Sequence, residues 1–302
     1  MKKALVTGGA GFIGSNLVDE LIKKEVEVTV IDNESSNNNE KFYWNKKAQN
    51  YKYDIREYKK INSLFENIDV VFHLAAESRI QPSIENPLLA AEVNVLGTCN
   101  ILQASRTHGV KRVVYSSTSS AYGKNEPPHK EEMKTDCLTP YSVSKLSGEE
   151  FCKMYYTLFG LETVIFRYFN VYGERQPTRG QYAPVVGLFA KQKRSGRPCT
   201  IVGDGLQRRD FTYVGDVAEA NILAALSDNQ EILGEIFNVG TGKNYNILDL
   251  ANILEHEYVF IPPRPGESRE TLADITKIKN MLQWEPKTNL SNWLALYWQR
   301  IG

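Results

Sequence analysis

The sequence predicts an α/β fold: a doubly wound parallel sheet wrapped by helices, with a smaller, discontinuous α/β substrate domain. Three observations predict it. Short β-branched runs alternate with helix-length segments, a glycine-spaced turn follows the first of those runs, and the rhythm weakens after Tyr172 as Gly, Pro and Arg accumulate. A chain of 302 residues, 42% of them hydrophobic, can bury one large or two modest cores.

The first apolar run, Ala4 to Val6, leads into Thr7-Gly8-Gly9-Ala10-Gly11-Phe12-Ile13-Gly14, where a helix is expected to begin. A second run, Val26 to Ile31, ends at Asp32; Val70 to Leu74 and Arg112 to Ser116 follow. Strands separated by helices need crossovers, which makes their sheet parallel. The stretch Leu88 to Ala104 is apolar on nearly every face and is expected to be buried on several sides. Thr139-Pro140 reads as the N-cap and first residue of a helix that carries Phe151, Met154, Tyr155, Leu158 and Phe159. These two helices are the expected contact of a homodimer, and an intramolecular core accounts for the pattern about as well. Asn37 to Asn39 reads as a surface loop. Glu235 to Val239 reads as a strand and Ile247 to Glu255 as a helix. Residues 1-170 are therefore expected to form a dinucleotide-binding domain to which 214-256 return. That leaves 171-213 and 257-302 for the second domain.

Composition excludes several classes. With 36 basic and 36 acidic side chains there is no basic excess for a nucleic-acid backbone. No apolar run approaches the ~18 residues that span a bilayer, and nothing at the N-terminus reads as a signal peptide. Cys99, Cys137, Cys152 and Cys199 form neither a CxxC pair nor a metal-ligand pattern, so reduced thiols, no metal and a cytoplasmic location are expected.

Two constellations carry chemistry. In the glycine turn, Gly8 permits the tight bend, Gly11 lets backbone N–H groups approach a pyrophosphate at the positive helix end, and Gly14 lets that helix pack close to the sheet, the Rossmann arrangement. Asp32, at the end of the second strand, can accept hydrogen bonds from both adenosine ribose hydroxyls and would repel a 2′-phosphate, which selects NAD over NADP. The second constellation is Tyr141-Ser142-Val143-Ser144-Lys145, in which one helical turn aligns Tyr141 with Lys145. An ammonium ~6 Å from a phenol, at an effective dielectric of ~20, would favour phenolate by roughly 2.8 kcal/mol.

Together these residues resemble the extended short-chain dehydrogenase/reductase family, in its nucleotide-sugar epimerase and dehydratase branch, over essentially the whole chain. The resemblance implies cofactor contacts at Phe12, Ile13, Asn33, Asp54, Ile55, Leu74, Ala75, Ala76, Asn94, Ser116 and Tyr168, besides the glycines and Asp32. It implies Thr118 as the hydroxyl on the sugar's reacting oxygen, Tyr141 as the base and Lys145 on the nicotinamide ribose. For a UDP-sugar it implies Ser78, Ser119, Asn170, Val186, Arg209, Arg264, Glu267 and Thr271, with Arg209 and Arg264 on the diphosphate.

Within that branch the reaction is read from what is missing. A 4,6-dehydratase needs acids directly after the threonine, and the decarboxylase pattern has a glutamate at the second of those positions; this chain has Ser119-Ser120 there. The expected activity is NAD-dependent 4-epimerisation of a UDP-hexose through a 4-keto sugar, which needs no extra acid. The alternative is a 4,6-dehydratase or a UDP-glucuronate decarboxylase. Ala75-Ala76-Glu77-Ser78 resembles dehydratases, from which Arg79 then departs. Thr271 stands where a bulky tyrosine closes some relatives, so UDP-GlcNAc and UDP-GalNAc are expected to fit besides UDP-glucose and UDP-galactose. Val202 and Gly215 depart from the family pattern.

Overall fold

The computed structural model describes residues 1–36, 39, 41–178, 183–263 and 268–301. Arg264 and Glu267 lie outside them.

Strands that are buried along nearly their whole length need cover on both faces, and the centre of this protein is built from such strands. The strands of the chain run β1 (Lys3–Thr7), β2 (Glu27–Ile31), β3 (Gln49–Tyr51), β4 (Val70–His73), β5 (Arg112–Thr118) and β6 (Glu162–Tyr168). Then come β7 (Val171–Tyr172), β8 (Cys199–Val202), β9 (Arg208–Asp210), β10 (Thr212–Tyr213), β11 (Ile236–Val239), β12 (Asn244–Asn246) and β13 (Tyr258–Ile261). Seven of them form one sheet in the order β11-β6-β5-β4-β1-β2-β3, and every pairing in it is parallel. Every residue of β4, β5 and β11 is buried. The edge strand β3 has three residues, none of them buried.

The helices are α1 (Phe12–Lys23), α2 (Tyr58–Ile61), α3 (Ile80–Glu85), α4 (Pro87–Ala91), α5 (Gly97–Thr107), α6 (Pro140–Phe159), α7 (Val185–Arg194), α8 (Val214–Leu226), α9 (Ile247–Leu254), α10 (Thr276–Leu282) and α11 (Leu290–Ile301). On one sheet face Leu17, Leu21, Val217, Ala220 and Ile278 pack on the strands; on the other Ile101, Leu102, Cys152 and Tyr155 do. A third cluster joins Phe189, Ile201, Leu250, Leu254, Leu294 and Trp298 into the smaller lobe.

Two expectations are corrected here. The segment from 88 to 104 is interrupted: α4 gives way to a π-helical turn, Glu92–Leu96, before α5. Leu88 is 76% and Leu96 52% exposed, so this segment is apolar on a face that its own chain leaves uncovered. The division of the chain also differs from the expected one. Residues 214–239 pack on the central sheet, whereas α9 buries Ile247, Leu250 and Leu254 in the smaller lobe, because β12, just before it, pairs with β9. Farther on, α10 and Trp284 return to the large core, where the indole Nε1 donates to the Asp216 carbonyl at 3.0 Å.

Candidate functional site

The strand order reverses between β1 and β4, and their carboxyl ends open the crevice in which such sheets bind ligands. Gly8 holds φ +70°, and a Cβ there would stand 2.8 Å from the Ala75 nitrogen; a Cβ on Gly14 would stand 2.2 Å from the Gly8 carbonyl oxygen. The turn, α1 and the β4 loop are therefore pressed together with no room for side chains. The N-terminus of α1 has no side-chain cap and no acid in its first turn, so its backbone donors and positive dipole end remain for an anion. Asp32 is buried and accepts from the Ala10 nitrogen (3.1 Å) and the Glu34 nitrogen (2.8 Å), while burial raises its pKa. These residues fit the pyrophosphate and the adenosine ribose of NAD.

A buried polar chain sets the next loop. His73 bridges the Thr7 Oγ1 (2.7 Å) and the Thr98 Oγ1 (2.9 Å), and Thr98 donates to the Asn94 carbonyl. Burial and the Lys145 charge lower the His73 pKa well below its ordinary value, so the ring bridges as neutral imidazole. Asn94 then holds Glu77 by both backbone groups, accepting from its nitrogen (2.8 Å) and donating to its carbonyl (2.9 Å), and donates to Ser144 Oγ on α6. The Ser83 hydroxyl accepts from the Tyr141 nitrogen at 3.1 Å. Loop 74–83 and the start of α6 are thus tied together by hydrogen bonds through Asn94 and Ser83.

Thr139 caps α6 as the sequence predicts, accepting from the Ser142 nitrogen at 3.2 Å ahead of Pro140. This presents Tyr141 and Lys145 one turn apart beside Thr118 at the end of β5. The Thr118 hydroxyl is among the groups that lower the Tyr141 pKa, and its Oγ1 accepts from the Ser120 nitrogen. The electrostatics differ from the expectation that Lys145 drives phenolate formation. Burial pushes the Lys145 ammonium down to about 7, and its Nζ lies 4.3 Å from the centre of the Tyr115 ring. Burial also raises Tyr141, and the groups that lower it are Thr118 and the Arg79 guanidinium. The physical reason is that a lysine one turn farther along the helix lies deeper in the fold, where its own charge is costly.

Two adjoining cavities, of about 370 and 380 Å³, meet above these residues. The glycines, Phe12, Ile13, Asp32, Asn33, Ile55, Leu74, Ala75, Ala76, Ser116, Thr118, Tyr141, Lys145 and Tyr168 line one of them. Ser78, Ser119, Asn170, Val186, Arg209 and Thr271 line the other. Asp54 and Asn94 line neither: the Asp54 carboxylate, held at about 2 chiefly by the Arg56 guanidinium, also accepts from Asn33, and Asn94 is the clamp just described. Among residues that the sequence reading did not single out for the site, Phe42 and Tyr53 line the first cavity and Tyr122 and His129 the second. Tyr122 closes the stretch after Thr118 that carries the family resemblance; no pattern marked Phe42, Tyr53 or His129, because lone aromatics become walls only through tertiary placement.

Fold and site define a dinucleotide-dependent enzyme with a Thr–Tyr–Lys constellation on the wall of one of two adjoining cavities. Residues 4–240 match the NAD dependent epimerase/dehydratase family. A putative UDP-glucose 4-epimerase of Methanocaldococcus jannaschii is 41% identical over 297 residues, covering 95% of this chain and 94% of that one. The structure of the Thermotoga maritima UDP-glucose 4-epimerase with UDP-glucose superposes with a TM-score of 0.92 at 36% identity, covering 98% of this chain and 97% of that one. The UDP-glucuronic acid 4-epimerase of Bacillus cereus, in complex with UDP-glucuronic acid and NAD, gives 0.90 at 34%, covering 99% and 98%. The chain belongs to the NAD dependent epimerase/dehydratase family, and it is an enzyme of nucleotide sugars whose cofactor is NAD. Among the described residues no helix is long and apolar enough to cross a membrane.

Proposed function

We propose that the protein interconverts UDP-hexoses epimeric at C4 through a 4-keto intermediate. The observation that carries this reading is the chemistry of the cavity walls: among the described residues, Asp32 is the one carboxylate that lines either cavity, at the adenosine end. A dehydratase must remove the C5 proton and protonate the leaving 6-hydroxyl, and beside Thr118 this site offers Ser119 and Ser120, whose hydroxyls cannot act as those acids. Glu77, the residue that resembles dehydratases, lines neither cavity.

When bound, NAD supplies the reversible hydride acceptor for C4. Tyr141 takes the 4-hydroxyl proton at its phenol oxygen and returns it after the keto sugar has turned its other face. Thr118 orients the reacting oxygen and the phenol together. Lys145 holds the nicotinamide ribose, and Arg209 takes the diphosphate. Proton NMR of the holoenzyme with UDP-glucose, UDP-GlcNAc and UDP-glucuronate separately, without added reductant, tests the reaction. The 4-epimers are expected with no net NADH; a 6-deoxy methyl signal or release of CO2 as the main outcome would overturn it.

Thr271 lines the sugar cavity, where its Oγ1 accepts from Asn170 Nδ2 at 3.1 Å. Its small side chain leaves space for an N-acetyl group, so UDP-GlcNAc is expected to turn over. Thr271→Tyr should lower kcat/KM for UDP-GlcNAc relative to UDP-glucose by roughly 10- to 100-fold. Turnover confined to the non-acetylated pair in the unsubstituted protein refutes this.

Two copies are inferred to pair through the face that carries Leu88, Leu96, Val143, Leu158 and Phe159, all 41–76% exposed on neighbouring helical segments. Leu158→Glu should shift the sedimentation equilibrium toward monomer, and an unchanged mass would exclude this face.

A further inference from the structure

Three parts of the cofactor cavity's wall are joined by one side chain that lies outside it. Phe42 belongs to the first part, the start of α1 to the second and Pro177 to the third. Arg175 lines neither cavity, yet its guanidinium reaches all three segments. Nε donates to Ser15 Oγ at 2.8 Å and Nη2 pairs with Asp19 Oδ2 at 2.9 Å, both on α1. The guanidinium carbon lies 4.4 Å from the centre of the Tyr43 ring, and Tyr43 follows Phe42 in the chain. The flanking residues are fastened as well. The Tyr43 nitrogen donates to the Ala10 carbonyl in the glycine turn, Asn45 Nδ2 donates to Asp19 Oδ1, and Asn16 Nδ2 donates to the Glu174 carbonyl at 3.0 Å.

The same segment is anchored in the smaller lobe. Glu174 accepts from the Tyr213 hydroxyl at 2.7 Å, and a Cβ on Gly187 of α7 would stand 2.2 Å from the Pro177 carbonyl oxygen. Arg175 and Asn16 therefore tie the smaller lobe to α1 beside the cofactor cavity. The tie holds the backbone against its own preference. Arg175 has φ +63°, a left-handed conformation that an L side chain keeps only where its surroundings impose it. Just after it, the Gln176 amide and the Thr178 hydroxyl are buried without a hydrogen-bond partner among the described residues, an arrangement that contact with water would relieve. Strain at residue 175 and orphaned groups at 176 and 178 favour a segment lifted off α1, and the Arg175 contacts oppose it.

We propose that Arg175 is a positioning residue that latches the cofactor cavity, so that NAD exchanges with solvent only when the contacts of Arg175 to Ser15, Asp19 and Tyr43 open. The guanidinium touches no part of the cavity itself and acts through the three segments it joins. Its consequence for turnover rests on the 4-epimerase reading: a cycle that removes hydrogen from C4 and gives it back needs the same cofactor molecule at both steps, and a latched wall keeps it there. The latch as such rests on the cavity wall alone and holds for any reaction of the bound NAD.

The test is cofactor exchange without any sugar nucleotide, so its outcome does not depend on the reaction. The holoenzyme is loaded with radiolabelled NAD and chased with excess unlabelled NAD, and the label still bound is followed over time. Arg175→Ala should speed the loss of label by roughly 10- to 100-fold, the factor that goes with losing hydrogen bonds to a charged group. Arg175→Gly separates the latch from mere destabilisation, because glycine relieves the left-handed backbone while removing the same guanidinium. It should be at least as resistant to urea as Arg175→Ala and exchange NAD as fast. Label loss from Arg175→Gly at the unsubstituted rate overturns the proposal, as does an unsubstituted protein that exchanges as fast as Arg175→Ala. In turnover assays, added free NAD should restore the rate that Arg175→Ala loses as its cofactor departs. Fast exchange in both variants with no 4-epimer formed by the unsubstituted protein sustains the latch and sinks the epimerase reading; 4-epimer formation with exchange unchanged in both variants does the reverse.

Discussion

Tyr141→Phe lowers the turnover of UDP-sugar by about 10²- to 10⁴-fold, the range that a positioned acid–base group contributes, and leaves the NAD content of the protein unchanged. The substitution removes one oxygen. The ring keeps its place on α6, because the backbone nitrogen of residue 141 still donates to Ser83 Oγ and the cap at Thr139 is untouched. The hydroxyls beside it cannot take the proton, because Thr118 and the serines ionise far above neutrality, and Asp32 lies at the adenosine end. The NAD site persists because its glycine turn and Asp32 belong to β1, α1 and β2. NMR initial rates together with NAD released on denaturation check both halves, and turnover within threefold of the unsubstituted protein would remove Tyr141 from the mechanism.

Glu149→Gln is expected to be the most damaging single change away from the cavity walls, costing about 3–5 kcal/mol of stability. Glu149 is 0% and Arg167 2% exposed, and they pair through two parallel contacts, Nε to Oε1 at 2.9 Å and Nη2 to Oε2 at 2.7 Å. Ser117 also donates to Oε1, and the guanidinium lies 4.8 Å from the centre of the Tyr122 ring. This pair fastens α6 to β5 and β6 at the register Ser117↔Arg167, one residue before Thr118↔Tyr168. Removing the carboxylate's charge leaves a buried guanidinium facing a neutral amide, whereas the double replacement Glu149→Leu with Arg167→Met removes both charges and should recover most of the loss. Urea denaturation of the two variants beside the unsubstituted protein decides it. A cost below about 1 kcal/mol for Glu149→Gln would mean that the buried guanidinium finds other compensation.

The two cases differ in how far the chain announces them. Tyr141 and Lys145 stand four apart behind a helix cap, and helix geometry alone brings them together. The partner of Glu149 is 18 residues away on another element, and nothing local marks it. Asp54 and Asn94 show the same limit from the other side. Their motifs were legible, but their side chains are turned to Arg56 and to the Glu77 backbone instead of lining a cavity. The stretch from 88 to 104 read as apolar on nearly every face and buried on several sides, and only the packed fold shows its π-helical turn and which of its residues face outward.

By itself the sequence carried the parallel sheet, the glycine turn with its acidic partner at Asp32, and the Tyr141–Lys145 spacing, because each depends on short-range periodicity or on a motif inside one element pair; Thr118 joined that pair only through the family resemblance. The tertiary structure decided which residues share a wall. It put Arg79 beside Tyr141, buried the Lys145 charge deeply enough to weaken it, sent α9 to the smaller lobe and brought α10 back to the large core. The reason is physical. Local conformation depends on neighbours within about a turn, whereas the field at a phenol and the cover of an apolar face depend on whatever distant segments pack there.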